Sequence, residues 1–175
     1  MTRKALVVID VQKAMFEDPA LLPFEGEAVV GRIASLIAKA RAAGAPIFFV
    51  QHDGGPEDSF HRAKPGFAFH DELAPRPGDD VTVKTKSSAF HGTDLDAKLK
   101  HAGVDQLVIT GMQSEYCVTS AIRGAYERGY KLILASDAHS TFDTKIAKAR
   151  DIIAIINDTT SGSFAKLTTS DEVSF

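Results

Sequence analysis

A single cysteine, Cys117, stands in the stretch GMQSEYCV (111–118) of a chain of 175 residues. It follows the apolar run Leu107-Val108-Ile109 and precedes a helical pattern over 118–128. A thiol at such a handover is a small core residue, a redox handle or a nucleophile. Two further groups bear on the choice. Asp10 closes the apolar run 5–9, and Lys84 closes VTVK (81–84). Thiolate rather than thiol is the reactive form, and an ordinary cysteine ionises near pH ~8.5. With Ser114 as N-cap, Cys117 falls in a first helical turn, where free amides and the helix dipole favour negative charge. A nearby lysine favours thiolate further, and a carboxylate takes a proton and returns it to a leaving group. The Cys117 amide with another from the 112–114 turn would make an oxyanion hole, one such donor being worth about 3 kcal/mol. The set suits acyl transfer from an amide. Taken singly, each member has a plainer reading: an inert buried cysteine, a turn or cap aspartate, a lysine on a solvated edge strand.

The elements that must position these groups are short β-branched runs alternating with helical patterns. Residues 4–10, 45–52, 80–85, 104–111, 130–137 and, more weakly, 163–169 read as strands. Residues 27–44, 94–103, 118–128 and 144–158 read as helices. The first helix carries Val30, Ile33, Ile37 and Ala40 on one face and ends at Gly44. This alternation predicts right-handed βαβ units, a parallel sheet covered on both faces, and a single domain over 1–175. In the common strand order 3-2-1-4-5-6, ligands bind outside the carboxyl ends of the strands, between strands 1 and 4. That order brings Asp10, Lys84 and Cys117 to one rim. Residues 53–79, rich in Gly, Pro, His, Phe and Asp without a period, are the exception, and so long a loop is usually functional.

Composition narrows the partners. A net charge of −3 with 25% charged residues gives no electrostatic reason to expect nucleic acid or a membrane surface. One cysteine excludes an intrachain disulfide and any Cys-x-x-Cys motif, which fits a reducing compartment. The apolar run before Asp10 is too short for a signal peptide, and no stretch reaches the roughly 18 apolar residues of a spanning helix. A cytoplasmic protein is the expectation.

Three blocks in order, VVIDVQ (7–12), VTVKTKSSAFHGTDLDAKL (81–99) and VDQLVITGMQSEYCVTSAIRGAYERGY (104–130), resemble the isochorismatase-like cysteine hydrolases. LASDAHSTFDT (134–144) resembles a metal-free amidase branch of that family, streptothricin-hydrolase-like. The resemblance implies a Rossmann-like three-layer α/β/α fold, six parallel strands in the order above, and a triad of Asp10, Lys84 and Cys117. Asp10 would be the general base, Lys84 the charge holding the ionised pair, and Cys117 the nucleophile forming an acyl-enzyme. The oxyanion hole maps onto the amides of Gln113 and Cys117, preceded by a cis Met112–Gln113 peptide. Homodimers or homotetramers are implied as well.

Isochorismatase proper lacks this cysteine and cleaves a vinyl ether, so Cys117 points to C–N cleavage of a small amide, ureido or lactam-like compound. Nicotinamidases of the family carry an Asp-x-His metal motif after the second strand. FFVQHDGGPEDSFH (48–61) supplies His52 and His61 without that motif, so no metal and no cofactor are expected. Candidate substrate-binding residues are Phe16, His52, Phe67, Phe90, Tyr116 and His139. The rival readings are a nicotinamidase-type activity, a non-catalytic α/β binding protein, and a cysteine phosphatase. The last rests on Cys117-x5-Arg123, whose interior lacks the glycines of a phosphate loop.

Overall fold

The computed structural model describes residues 2–175. Six strands, β1 (Lys4–Ile9), β2 (Ile47–His52), β3 (Asp80–Lys84), β4 (Gln106–Met112), β5 (Lys131–Ser140) and β6 (Lys166–Thr168), form one sheet. All neighbours pair in parallel, in the order β3-β2-β1-β4-β5-β6. The helices are α1 (Gly26–Ala42), α2 (Leu95–His101), α3 (Thr119–Glu127) and α4 (Ala149–Thr160). No helix among the described residues is long and apolar enough to cross a membrane.

β1 is apolar throughout because it has neighbours on both faces. Side chains alternate along a strand, so Ala5, Val7 and Ile9 enter one core while Leu6 and Val8 enter the other. The first core takes Leu95 and Leu99 of α2 with Ala121, Ile122 and Ala125 of α3. The second takes Val29, Val30, Ile33, Leu36, Ile37 and Ala40 of α1, the stripe that helical spacing predicted. Each such aliphatic side chain contributes about 1.5–3 kcal/mol on full burial. Gly44 ends α1 as expected: its φ is +67°, its amide donates to Arg41, and the Ala45 amide donates to Ala40. Ala43, the residue before it, stays helical.

One glycine brings the carboxyl ends of β1 and β4 together. Gly111 in β4 has φ +128°, and a Cβ there would lie 2.1 Å from the Ile9 carbonyl oxygen. Only glycine lets β4 pass so close to the end of β1.

The elements depart from the sequence reading in three places. β5 runs on to Ser140, because its register against β4 jumps between Ile109↔Leu134 and Gly111↔His139. Ala138, His139 and Ser140, beyond the strand expected over 130–137, therefore lie within it. α4 begins at Ala149 rather than 144, with Asp143 accepting the Ala149 amide at 2.8 Å and the Lys148 ammonium at 2.7 Å. The 53–79 loop is pinned rather than featureless. It holds two 3₁₀ turns, Pro65–Phe67 and Asp71–Leu73. The carboxamides of Gln12 and Gln51 both donate to the Phe67 carbonyl, at 2.8 and 2.6 Å.

Candidate active site

Asp10 is the first residue past β1 and adopts a left-handed φ of +52°, which aspartate tolerates better than most residues. Its amide donates to Val50 and its carbonyl accepts the Gln12 amide, so both neighbours fix the bend. Lys84 is the last residue of β3, two strands away, and its side chain is fully enclosed. The Lys84 ammonium lies 2.6 Å from Asp10 Oδ2, donates to the Lys86 carbonyl at 3.1 Å, and reaches Cys117 Sγ at 3.3 Å. Both Asp10 oxygens are buried. Lys84 and the Cys117 thiol act on this carboxylate, and among the described residues neither oxygen has a further donor.

Cys117 sits in a single π-turn, Ser114–Val118, between β4 and α3. Such turns recur at functional sites. The Gln113 carbonyl accepts the amides of Tyr116 and Val118, on either side of Cys117. The Met112–Gln113 peptide is cis, as the resemblance implied. Ser114 is not the N-cap expected. Gln113 holds that position without a side-chain cap, and Ser114 Oγ instead bonds His139 Nδ1 at 2.8 Å.

The thiol opens onto a cavity of about 300 Å³. Asp10, Cys117, Gln113, His52 and Tyr116 are among the residues that line it. Burial first, then the Asp10 charge, pushes the Cys117 thiol up to about 12, with Lys84 acting in the opposite sense. Burial thus works against the preformed ion pair that the resemblance implies. Burial, only partly offset by Lys84, also holds Asp10 above the usual carboxylate range. His52 is held below the ordinary imidazole value by burial and then by Lys84. Burial thus favours the protonated form of both Cys117 and Asp10, and Lys84 favours the charged form of both.

Of the residues read as pocket lining, His52 and Tyr116 are there and four are elsewhere. Phe16 points the other way, edge-on to His70 with ring centroids 4.8 Å apart, and Met15 from the same 3₁₀ turn takes its place. Phe67 serves through its carbonyl, and Phe60 is the loop phenylalanine on the cavity. Phe90 is buried beneath α3, stacked on Tyr130 with the Arg128 guanidinium over its ring. His139 is 2% exposed on β5, bonded to Ser114 and Asn157 rather than reaching the rim. Asp58 and Ser87 also line the cavity, and no pattern in the sequence singled them out. Arg123 projects from α3 over the Phe164 ring, 4.7 Å from its centroid, and does not face the thiol as a phosphate loop requires.

Residues 4–172 match the isochorismatase domain. The streptothricin hydrolase of Streptomyces noursei is 37% identical over 170 residues, which cover 97% of this chain and 60% of that protein. The chain thus spans about three-fifths of the length of this curated relative. A cysteine hydrolase from Pseudomonas syringae pv. phaseolicola superposes with a TM-score of 0.90 at 29% identity, covering 97% of this chain and 90% of the other. The N-carbamoylsarcosine amidase of Thermoplasma acidophilum does so with 0.84 at 26%, covering 98% and 99%. The matched span takes in the strand order, Asp10, Lys84, the π-turn and its cysteine together, and with it this chain belongs to the isochorismatase family.

Proposed function

We propose that the chain is a metal-independent hydrolase that cleaves the C–N bond of a small amide, ureido or lactam-like compound through a thioester on Cys117. The observation that carries this is the Lys84 ammonium, enclosed and within 2.6 Å of Asp10 and 3.3 Å of Cys117. It can neutralise whichever of the two is the anion as a proton moves between them. The Asp10 carboxylate takes the thiol proton as sulfur attacks the carbonyl carbon. The amides of Gln113 and Cys117 hold the resulting oxyanion. The C–N bond then breaks as Asp10 returns the proton to the departing nitrogen, leaving the thioester. Water, deprotonated by Asp10, attacks the thioester carbon, and sulfur leaves and recovers its proton.

The names of two relatives, streptothricin hydrolase and N-carbamoylsarcosine amidase, support C–N chemistry on small molecules. A cavity of about 300 Å³ suits a compound of that size. The proposed partners are that substrate and further copies of the chain, in a homodimer or homotetramer. The test is ammonia or amine release over a panel of small amides, ureas and lactams, with and without chelator. Turnover unaffected by chelator and lost in Cys117→Ala is the expected result. Turnover that survives Cys117→Ala, or dies with chelator, overturns the proposal.

A further inference from the structure

The cavity does not include His139, yet this residue is tied to the nucleophile turn from the opposite side. Asn157 of α4 donates from Nδ2 to the Ser136 carbonyl at 3.0 Å, which turns its Oδ1 toward His139 Nε2, also 3.0 Å away. Facing an acceptor, Nε2 must carry the ring proton. Nδ1 is then the lone-pair nitrogen, and Ser114 Oγ–H donates to it at 2.8 Å. The chain of bonds has one direction, from Ser114 through His139 and, with Asn157 oriented by Ser136, into the backbone of β5. Burial favours the neutral ring by holding His139 below its ordinary value. Ser114 is fixed at its other end too, because its carbonyl accepts both the Thr119 hydroxyl, at 2.7 Å, and the Thr119 amide. Thr141, two residues after His139, adds a second strap by donating to Glu115 Oε1 at 2.9 Å.

We propose that His139 is a positioning residue for the hydrolysis. By accepting the Ser114 hydroxyl it sets the π-turn so that Cys117 and the Gln113 amide stand in register with Asp10 and Lys84. This rests on the proposed thioester mechanism but concerns a residue that never touches the substrate. A histidine that merely filled a buried site would need both its bonds equally. A positioning histidine needs the bond to Ser114 more.

Two substitutions separate these roles. In His139→Asn the carboxamide oxygen replaces Nδ1 and keeps an acceptor for Ser114, losing the donor to Asn157. In His139→Gln the carboxamide nitrogen replaces Nε2 and keeps the donor to Asn157, losing the acceptor. Each removes one buried hydrogen bond, so both lower the thermal midpoint comparably. The expected split is a fall in kcat of about 10–100-fold for His139→Gln with KM little changed, against less than about threefold for His139→Asn. Ser114→Ala should reproduce the His139→Gln loss and add little to it in the double variant. Equal kcat losses in the Asn and Gln variants, or full additivity with Ser114→Ala, overturn the positioning role. Cys117→Ala run alongside reports separately on the thioester reading. If no amide in the panel is turned over, the rate of Cys117 alkylation by iodoacetamide becomes the readout. A change in His139→Gln but not in His139→Asn supports the role, and equal rates overturn it.

Discussion

Asp10 and Asp53 each follow a parallel strand, β1 and β2, and each meets a basic side chain at the carboxyl edge of the sheet. Asp53 is held by Arg62, nine residues on, whose amide donates to Oδ1 at 3.0 Å and whose guanidinium donates to Oδ2. Burial, which acts upward on Asp53, is outweighed by these donors, and the carboxyl lies below its usual range. Asp10 is held by Lys84 from a distant strand and meets the Cys117 thiol, with no further donor among the described residues, and burial leaves it above that range. The Arg62 side chain is 64% exposed, and that of Lys84 is enclosed. The same pair of charges thus makes two different devices. A carboxylate saturated with good hydrogen bonds is a clasp and a poor base. A buried carboxylate held chiefly by one ion pair suits the general base proposed for Asp10.

Breaking the buried pair should have the largest consequence. Lys84→Met leaves a buried uncompensated carboxylate and is expected to cost about 3–5 kcal/mol of unfolding free energy. Asp10→Asn should lower kcat by a factor on the order of 10²–10⁴, the usual worth of a general base. Combining Asp10→Asn with Lys84→Met should recover much of the stability and none of the activity, measured by denaturant unfolding and amine release. A double variant that stays as unstable as Lys84→Met, or a fully active Asp10→Asn, would erase the distinction between base and clasp.

How far this was legible in the sequence follows the same division. Asp10 and Lys84 close apolar runs, and once the alternation of strands and helices implies the strand order, their meeting follows. Phe16 and Met15 differ only in the phase of one 3₁₀ turn, which a four-residue segment does not reveal. Phe90 and His139 were misplaced because a tertiary partner claims each: Tyr130 for Phe90, Ser114 and Asn157 for His139. His139 also depends on the register jump in β5, which has no sequence period. Asp58 and Phe60 lie between Asp53 and Arg62, in a loop closed by the Arg62 amide and guanidinium on the Asp53 carboxylate, contacts that no sequence period reveals. The burial that pushes the Cys117 thiol up lies outside the sequence for a related reason. Neighbouring residue types can be read from spacing and topology, but the depth of burial that decides between thiol and thiolate cannot.

That depth has its own test. With burial pushing the thiol up to about 12, alkylation of the resting protein should climb about tenfold per pH unit through the alkaline range, without levelling at the ordinary thiol value. The folded state then holds a proton that the unfolded chain has released, so stability should fall as pH rises from about 9 toward about 12. Cys117→Ser should remove its share of that slope, leaving the share of Tyr130, which burial and Asp96 also raise. The acid side works through Asp10, which must be ionised to act, so turnover should fail on acidification at a pH above the usual carboxylate range. An alkylation plateau below about pH 8 would mean a preformed thiolate, and Asp10 would lose its role in the first proton transfer.

Opening the exposed clasp should have the smallest effect. Arg62→Ala leaves Asp53 its amide donor, and a pair so accessible to water is worth about 1 kcal/mol or less. Because Asp53 sits below its ordinary value when folded, the contribution is present above the unfolded carboxylate value and fades as pH falls through the folded one. It should also shrink in about 1 M salt, where screening acts over roughly 3 Å, while the cost of Lys84→Met should not. In catalysis the clasp holds the loop bearing Asp58 and Phe60 against the cavity, so its loss should raise KM by a few-fold and leave kcat nearly unchanged. A kcat loss rivalling that of Asp10→Asn would put Asp53 in the chemistry, and the two aspartates would no longer be a base and a clasp.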